Sequence, residues 1–446
     1  EIGTGDWSSD VCSSDLAVAT RGNHQPVWTY VIGTDPETGE PIETRVGTTG
    51  VYVNLHATAP SGRLVTGASL LGAVPGFEDL FAVPGVDELT RFDVFPGAPA
   101  ITDAGVIAFK GNYSVDDPSS EDPAVVLGKT GVFYRPVSAL DAGGQEPIAL
   151  IANSDTAVPN PGACAPGTTF GSTAPPSAAG SHMVFVGFDN EDDPTCGGVY
   201  RAELTQPPVI ETLVGLETRV PGQGAQRFTQ LGEGLSFDGR LVGFWGAWGA
   251  ETRTVRLYCP TEGNRVRRLF CNNQPDPETG EIPGGGDPNS VCDDLSDPMW
   301  PICYQEKAVP VNQGIFLYDT RAAAPGLRLR LLARAGRGGR FDDFVYWNYS
   351  GAPPGAGESE GDAEPPRFRS SAFLAVSAAD AKALMRVAFL ARQGELDPVT
   401  NAYVEPMDGI YLATGPGQGT IKALLETGMD GSLLDPEAVW DDDENP

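Results

Sequence analysis

Histidine is scarce in this chain: three residues in 446, His24, His56 and His182, in unrelated surroundings. A catalytic triad or a histidine-built metal centre therefore has little to draw on, and His182 reads as an ordinary strand residue. No G-x-S-x-G run supplies a nucleophile elbow. The Gly-rich PGGGD from Pro283 lacks the Lys-Ser/Thr and the strand-to-helix setting of a phosphate loop. No C-x-x-C pair occurs, which disfavours zinc. No apolar run approaches the ~18 residues that a membrane helix needs. Basic residues are few, Lys+Arg 29 against Asp+Glu 60, for a formal net charge of −31. Such a field repels phosphate backbones, so nucleic acid is not an expected partner.

Turn formers are plentiful. Gly 56 and Pro 39 favour many turns between short strands over long helices. A helical pattern shows only around Ala378 to Met385. The run Asp6 to Leu16 (DWSSDVCSSDL) has neither period and resembles translated sequencing-adapter sequence. Residues 1–16 are expected to be a non-native leader, with the genuine chain beginning near Ala17. Cys12 falls in that leader. The other six, Cys164, Cys196, Cys259, Cys271, Cys292 and Cys303, form an even, loop-located set that reads as three disulfides. That implies an oxidising compartment: periplasm, cell surface or exterior.

Laid against itself, the chain repeats. One element is a Gly- or Asp-containing turn, then an apolar strand ending in Phe, then Gly: ITDAGVIAFKG from Ile101, SAAGSHMVFVG from Ser177, SFDGRLVGFWG from Ser236 and a lengthened SAADAKALMRVAFLA from Ser377. A polar loop follows, then a second marker: GVYV from Gly50, GVFY from Gly131, GVYR from Gly198, GIFL from Gly314 and GIYL from Gly409. An apolar strand such as PIALIA or PVIETLV comes next, then a Gly/Pro-rich connector. Gly permits the positive φ of a tight hairpin, and Val, Ile, Phe and Tyr suit a pleated, half-buried surface. Each copy thus encodes about four short antiparallel strands. Stacking such sheets around an axis buries both faces, which is the propeller solution. In the first unit VWTYVIG from Val27 is the expected second strand, and its opening element is absent.

SFDGRLVGFWG resembles the S-x-D-G-x-x-(I/V)-A-F element of TolB-like and related WD40-like propeller repeats. The longer run D-x-G-x-(V/I)-A-F … G-(V/I)-(Y/F)-R is similar to tandem-repeat secreted bacterial proteins of uncharacterised function. The resemblance covers about Val27 to Asp435 and implies an all-β propeller of five blades, or six with truncation, in one domain over 17–446. It transfers no catalytic residue.

In that register, loops between second and third strands and loops between units emerge at one end, where function usually sits on a rigid scaffold. Cys164 and Cys196 fall one in each class and are expected to pair. The fourth unit carries an insertion over 258–311 with the other four cysteines, for which three connectivities stay open. Acidic clusters occupy the same loops: Asp116, Asp117, Glu121 and Asp122; Asp189, Glu191, Asp192 and Asp193; Asp293, Asp294 and Asp297. Calcium is the one cofactor they bring to mind, with Asp189, Asp192 and Asp193 as the ligand set, though no EF-hand spacing occurs and solvated turns are the plainer account. Phe237 and Phe244 read as core, whereas Trp248 and Trp300 are candidates to present rings to a sugar or peptide. The expectation is a monomeric, non-enzymatic binding module for a protein or carbohydrate. The alternative is a propeller glycoside hydrolase or lyase acting through paired carboxylates, one of them held protonated.

Overall fold

The computed structural model describes residues 17–429 apart from 55–63, 87–88, 121, 123–124, 138–145, 160–163, 192, 260–264, 295–301, 336–373, 378–384, 401–402, 416–420 and 427. The leader, nearly all of the helical pattern at Ala378 to Met385, Glu121, Asp192, Asp297 and Trp300 lie outside them. Antiparallel strands dominate. The first sheet holds β1 (Val18–Thr34), β2 (Pro41–Asn54) and β3 (Leu64–Ser69) in that order. β1 contains the expected VWTYVIG strand. A one-turn helix α1 (Glu78–Phe81) follows, and the second sheet runs β4 (Ala100–Ile101), β5 (Val106–Asp116), β6 (Val126–Pro136), β7 (Ala149–Asn153). In the third, β8 (Ser172–Thr173) and β9 (Ser177–Ala179) both pair with β10 (His182–Phe188), which continues to β11 (Gly197–Glu203) and β12 (Ile210–Gly215).

The fourth sheet is interrupted. It starts with β13 (Phe228–Phe237) and β14 (Leu241–Trp248). An excursion then forms β15 (Thr252–Tyr258), helix α2 (Arg265–Cys271), β16 (Val291–Asp294) and β17 (Ile302–Pro310), a separate sheet of order β15-β17-β16. The chain returns with β18 (Gln313–Asp319) and β19 (Leu329–Ala335). The last sheet runs β20 (Leu374–Ser377), β21 (Arg386–Leu396), β22 (Tyr403–Ala413), β23 (Ile421–Glu426). Each of the five repeat copies read from the sequence therefore supplies one sheet. The excursion has more order than its Pro, Gly and Asp content suggested: it begins its ladder at Thr252↔Pro310 and buries Leu269, Phe270 and Tyr304.

Although the sequence reads as one domain, the described residues fall into two compact units. One lies within Glu1–Phe244, Leu317–Arg330 and Phe373–Ala383, the other within Trp245–Phe316, Leu331–Ala372 and Leu384–Pro446.

The second marker has one geometry wherever its ladder is described. Strand pairing breaks by a bulge between its second and third residues: Val51/Tyr52, Val132/Phe133, Val199/Tyr200 and Ile410/Tyr411. A bulge sharpens local twist and re-aims the side chain behind it. Here it folds the ring back over the opening glycine. A Cβ on Gly131 would sit 2.7 Å from Phe133 Cζ, and one on Gly198 would lie 2.0 Å from the Val214 carbonyl oxygen. Only glycine lets the strands approach so closely. The same rings stack on the Phe that ends the first element: Phe109–Phe133, Phe185–Tyr200 and Phe389–Tyr411, centroids 5.9, 5.5 and 5.9 Å apart.

In the first unit each connector returns a Phe to these pairs. Phe92 lies edge-on to Phe133 at 5.1 Å, and Phe170 edge-on to Tyr200 at 5.2 Å. Each occupies the space a Cβ would take on the glycine after the strand Phe, Gly111 and Gly187. The second sheet is buried on both faces. Ile107, Phe109, Tyr113 and Phe133 join one core cluster with Val51, Val53, Phe92 and Phe95, while Ala108, Val132 and Tyr134 join another with Phe170, Met183 and Phe185. Period-two alternation along β5 and β6 makes this division. Within this unit β4 packs against β9, β9 and β10 against β13, and β13 against β20.

An ion pair closes one turn of this unit. Arg240, in the SFDGR hairpin, holds Asp319 with two parallel bonds, Nε to Oδ1 at 2.9 Å and Nη2 to Oδ2 at 2.7 Å. The guanidinium lowers the Asp319 carboxyl below its ordinary value and outweighs the opposing effect of burial. A carboxyl depressed by folding adds stability above its unfolded pKa and loses it as pH falls through the folded value. Asp319→Asn should therefore cost about 2 kcal/mol near neutrality. In urea unfolding the difference from wild type should shrink below about pH 4; a pH-independent difference would remove the ion pair from the account.

Candidate functional site

The loop end of the second and third sheets is where the sequence places a site, and the described parts of the connectors form hydrogen-bonded turns. After β7, Asn153 takes a backbone N–H bond from Asp155 on Oδ1, and Thr156 Oγ1 accepts from the Asn153 N–H. After β12, Thr218 Oγ1 accepts from the Gly215 N–H in the same way. Each connector then doubles back: Phe170 N–H donates to the Thr156 carbonyl and Phe228 N–H to the Thr218 carbonyl. Val158 and Val220 are buried beneath these turns.

The second class of loop closes on an aspartate. Between β10 and β11, Asp189 Oδ1 accepts from the Thr195 and Cys196 N–H groups at 2.9 and 3.0 Å, and Oδ2 accepts from the Thr195 hydroxyl. Burial raises its pKa, but these bonds win and hold the carboxyl below its ordinary value. Between β5 and β6, Asp117 Oδ1 accepts from both the N–H and the hydroxyl of Ser119, which lowers its pKa too.

The two classes meet. Cys164, on the connector, is bridged to Cys196, at the end of the Asp189 loop, with Cα atoms 5.4 Å apart. This is the pairing the repeat register required. On the second sheet Lys129 Nζ, from β6, reaches Asp155, on the connector that leaves that sheet, at 3.0 Å, and between the second and third sheets the buried hydroxyls of Thr130 and Thr173 lie 2.8 Å apart. In the excursion the open connectivity resolves as Cys259–Cys271 and Cys292–Cys303.

Trp248 requires a correction. Its ring is buried, 2% exposed, edge-on to Phe316 at 5.9 Å and beneath the Arg334 guanidinium. β14 runs three residues past the aromatic pair Phe244 and Trp245 and is covered along its whole length, so the ring is core and not a ligand platform. Phe237 and Phe244 are core as expected. Of the Asp189, Asp192, Asp193 set, Asp189 spends its oxygens on its own loop. Asp193 N–H donates to Asn190 Oδ1. No group of three or more His, Cys, Asp or Glu converges as a metal site among the described residues.

Sequence reasoning missed this use of acidic residues as loop locks. The signal was present: DPETG occurs twice, from Asp35 and from Asp276. Both copies make the same turn, with the fifth-position Gly N–H donating to the Asp carbonyl and the third-position Glu N–H to Asp Oδ1. Asp35, Asp276 and Asp397 are lowered chiefly by backbone bonds of this kind.

No known protein family matches the sequence, and no curated protein does. Solved structures with partial likeness include a puromycin-hydrolysing peptidase from Mycobacterium tuberculosis, 12% identical with a TM-score of 0.26, matched over 93% of this chain and 54% of that one. Another is a glycosyl hydrolase from Bacteroides ovatus, 9% identical with a TM-score of 0.21, over 91% of this chain and 82% of that one. Neither likeness is close enough to carry an argument about fold or activity. Among the described residues no helix is long and apolar enough to cross a membrane.

Proposed function

We propose that this chain is an exported, non-enzymatic binding module, its five sheets arranged as propeller blades, which takes a protein or carbohydrate ligand on the loop end marked by the Cys164–Cys196 bridge. That bridge is the observation that carries the reading. It ties a connector to a neighbouring hairpin loop on sheets buried on both faces. Loops held rigid before they meet a ligand lose little entropy on binding. Three disulfides fit an oxidising compartment, the periplasm or the exterior. The alternative, glycoside cleavage, needs one carboxyl kept protonated. The loop carboxyls Asp117 and Asp189 are instead held ionised by hydrogen bonds of their own turns.

The test is a panel of soluble polysaccharides and extracellular proteins, offered to the chain exported with its disulfides formed. Calorimetry should find saturable binding by at least one of them, with no gain in reducing ends over hours. Sustained release of reducing ends would replace this reading with the hydrolase. Averaged electron micrographs should show a ring with a central channel; an open arc of sheets would overturn the propeller.

A further inference from the structure

The excursion between β15 and β17 has a polar interior. Asn272, Gln274, Asp287 and Gln305 are all buried there, Asp287 and Gln305 with 2% and 3% of their surface exposed. Asp287 accepts from the Asn289 N–H at 2.8 Å on Oδ1, and from the Ser290 hydroxyl and Gln305 Nε2 on Oδ2. All of these donors are neutral. No cationic side chain pairs with this carboxylate among the described residues. Gln305 Oε1, on the amide that lies against Asp287, is buried and has no partner among the described residues.

Both features are costly in a protein interior: a buried charge without a counter-charge, and a buried amide oxygen without a donor. Water would satisfy the oxygen and leave the charge. A cation answers both, and unassigned ions are a recognised cause of orphaned buried polar atoms. A third oxygen stands close by. The PGGGD run passes so near Asn273 that a Cβ on Gly286 would sit 2.2 Å from Asn273 Oδ1, and Asn273 Nδ2 donates to the Asp287 carbonyl. Gly286 also has φ +86, so glycine serves there twice. The set is carboxylate and amide oxygen from three separate segments, without His or Cys. Hard, adaptable coordination of that kind suits calcium over zinc or copper.

We propose that Asp287, Gln305 and Asn273 form the nucleus of a calcium site within the excursion, main-chain carbonyls and water completing the shell. The ion joins β17 to the loop that follows α2, where the two disulfides alone leave the interior charge unbalanced. The site is independent of the ligand face proposed above.

The test uses the full chain, disulfides intact, stripped with EDTA and titrated with calcium chloride by calorimetry and thermal unfolding. Wild type should bind saturably. Calcium at about 100 times its Kd should raise Tm by about 5 °C. Asp287→Asn should weaken binding at least about 30-fold; should it fail to fold, Gln305→Glu decides. A second carboxylate should tighten calcium binding about tenfold or more, while lowering Tm in EDTA, so that calcium rescues this variant more than wild type. The proposal falls if wild type gives no heat with calcium, or if magnesium alone binds. It also falls if Gln305→Glu is destabilised equally with and without calcium, or if neither substitution alters the affinity.

Discussion

Phe133→Ala is expected to lower the free energy of unfolding by about 3–5 kcal/mol, the usual cost of emptying a fully buried aromatic site. Phe133 is 0% exposed, stacks on Phe109, meets Phe92 edge-on and folds over Gly131 behind the bulge. Its closest partners are two rigid rings and the backbone at Gly131, which do not collapse readily into the gap. Phe133→Leu keeps most of the volume and should cost about 1 kcal/mol. Tyr200 occupies the same place in the third sheet, 1% exposed, against Phe185 and Phe170. Tyr200→Ala should therefore match Phe133→Ala closely. Urea unfolding with a shared m-value checks all three. A loss under 1 kcal/mol for Phe133→Ala, or a wide gap between the two alanine variants, would mean the copies are not energetically equivalent.

Removing the Cys164–Cys196 bridge should cost nearly as much. The bond closes a loop with a sequence separation of 32, for which chain entropy gives about 3–4 kcal/mol. The bridges in the excursion, with separations of 12 and 11, should each contribute about 3 kcal/mol. Cys164→Ala with Cys196→Ala should also loosen the loop end without disturbing the sheets. Amides of β10 and β11 should keep their hydrogen-exchange protection while those of residues 189–196 lose it. The Asp189 bonds are the control: if they suffice, exchange in that loop will not change, and the bridge is not what holds it.

The repeats were legible because each needs a particular residue for a particular physical reason. Gly50, Gly131, Gly198, Gly314 and Gly409 recur since strand carbonyls and rings crowd the space where a Cβ would be. Val-Phe and Val-Tyr recur since the sheets are covered on both faces. The Cys164–Cys196 pair followed from the register alone. Trp248 was misread because a strand end cannot be fixed from periodicity: β14 continues two residues past Gly246. The order in the excursion was hidden since part of its interior is Asn272, Gln274, Asp287 and Gln305, residue types that in a sequence signal solvent. The acidic loops looked like ligand sets because composition does not distinguish a carboxylate offered outward from one turned back on its own N–H groups.

The interruption of the fourth sheet bears on how the chain is made. Apart from the excursion's own β15–β17 ladder, the other sheets pair strands closer in sequence, so each is able to close soon after its residues leave the ribosome. β14 instead emerges about sixty residues before β18, the neighbour that covers one of its edges. At about 5–20 residues per second that wait lasts several seconds. During it LVGFWGAW, a strand buried along its whole length in the finished fold, stands with one ladder unfilled. The excursion is therefore a hazard in synthesis as well as an ornament of the fold. A chaperone that binds unfolded chains would find an apolar foothold there.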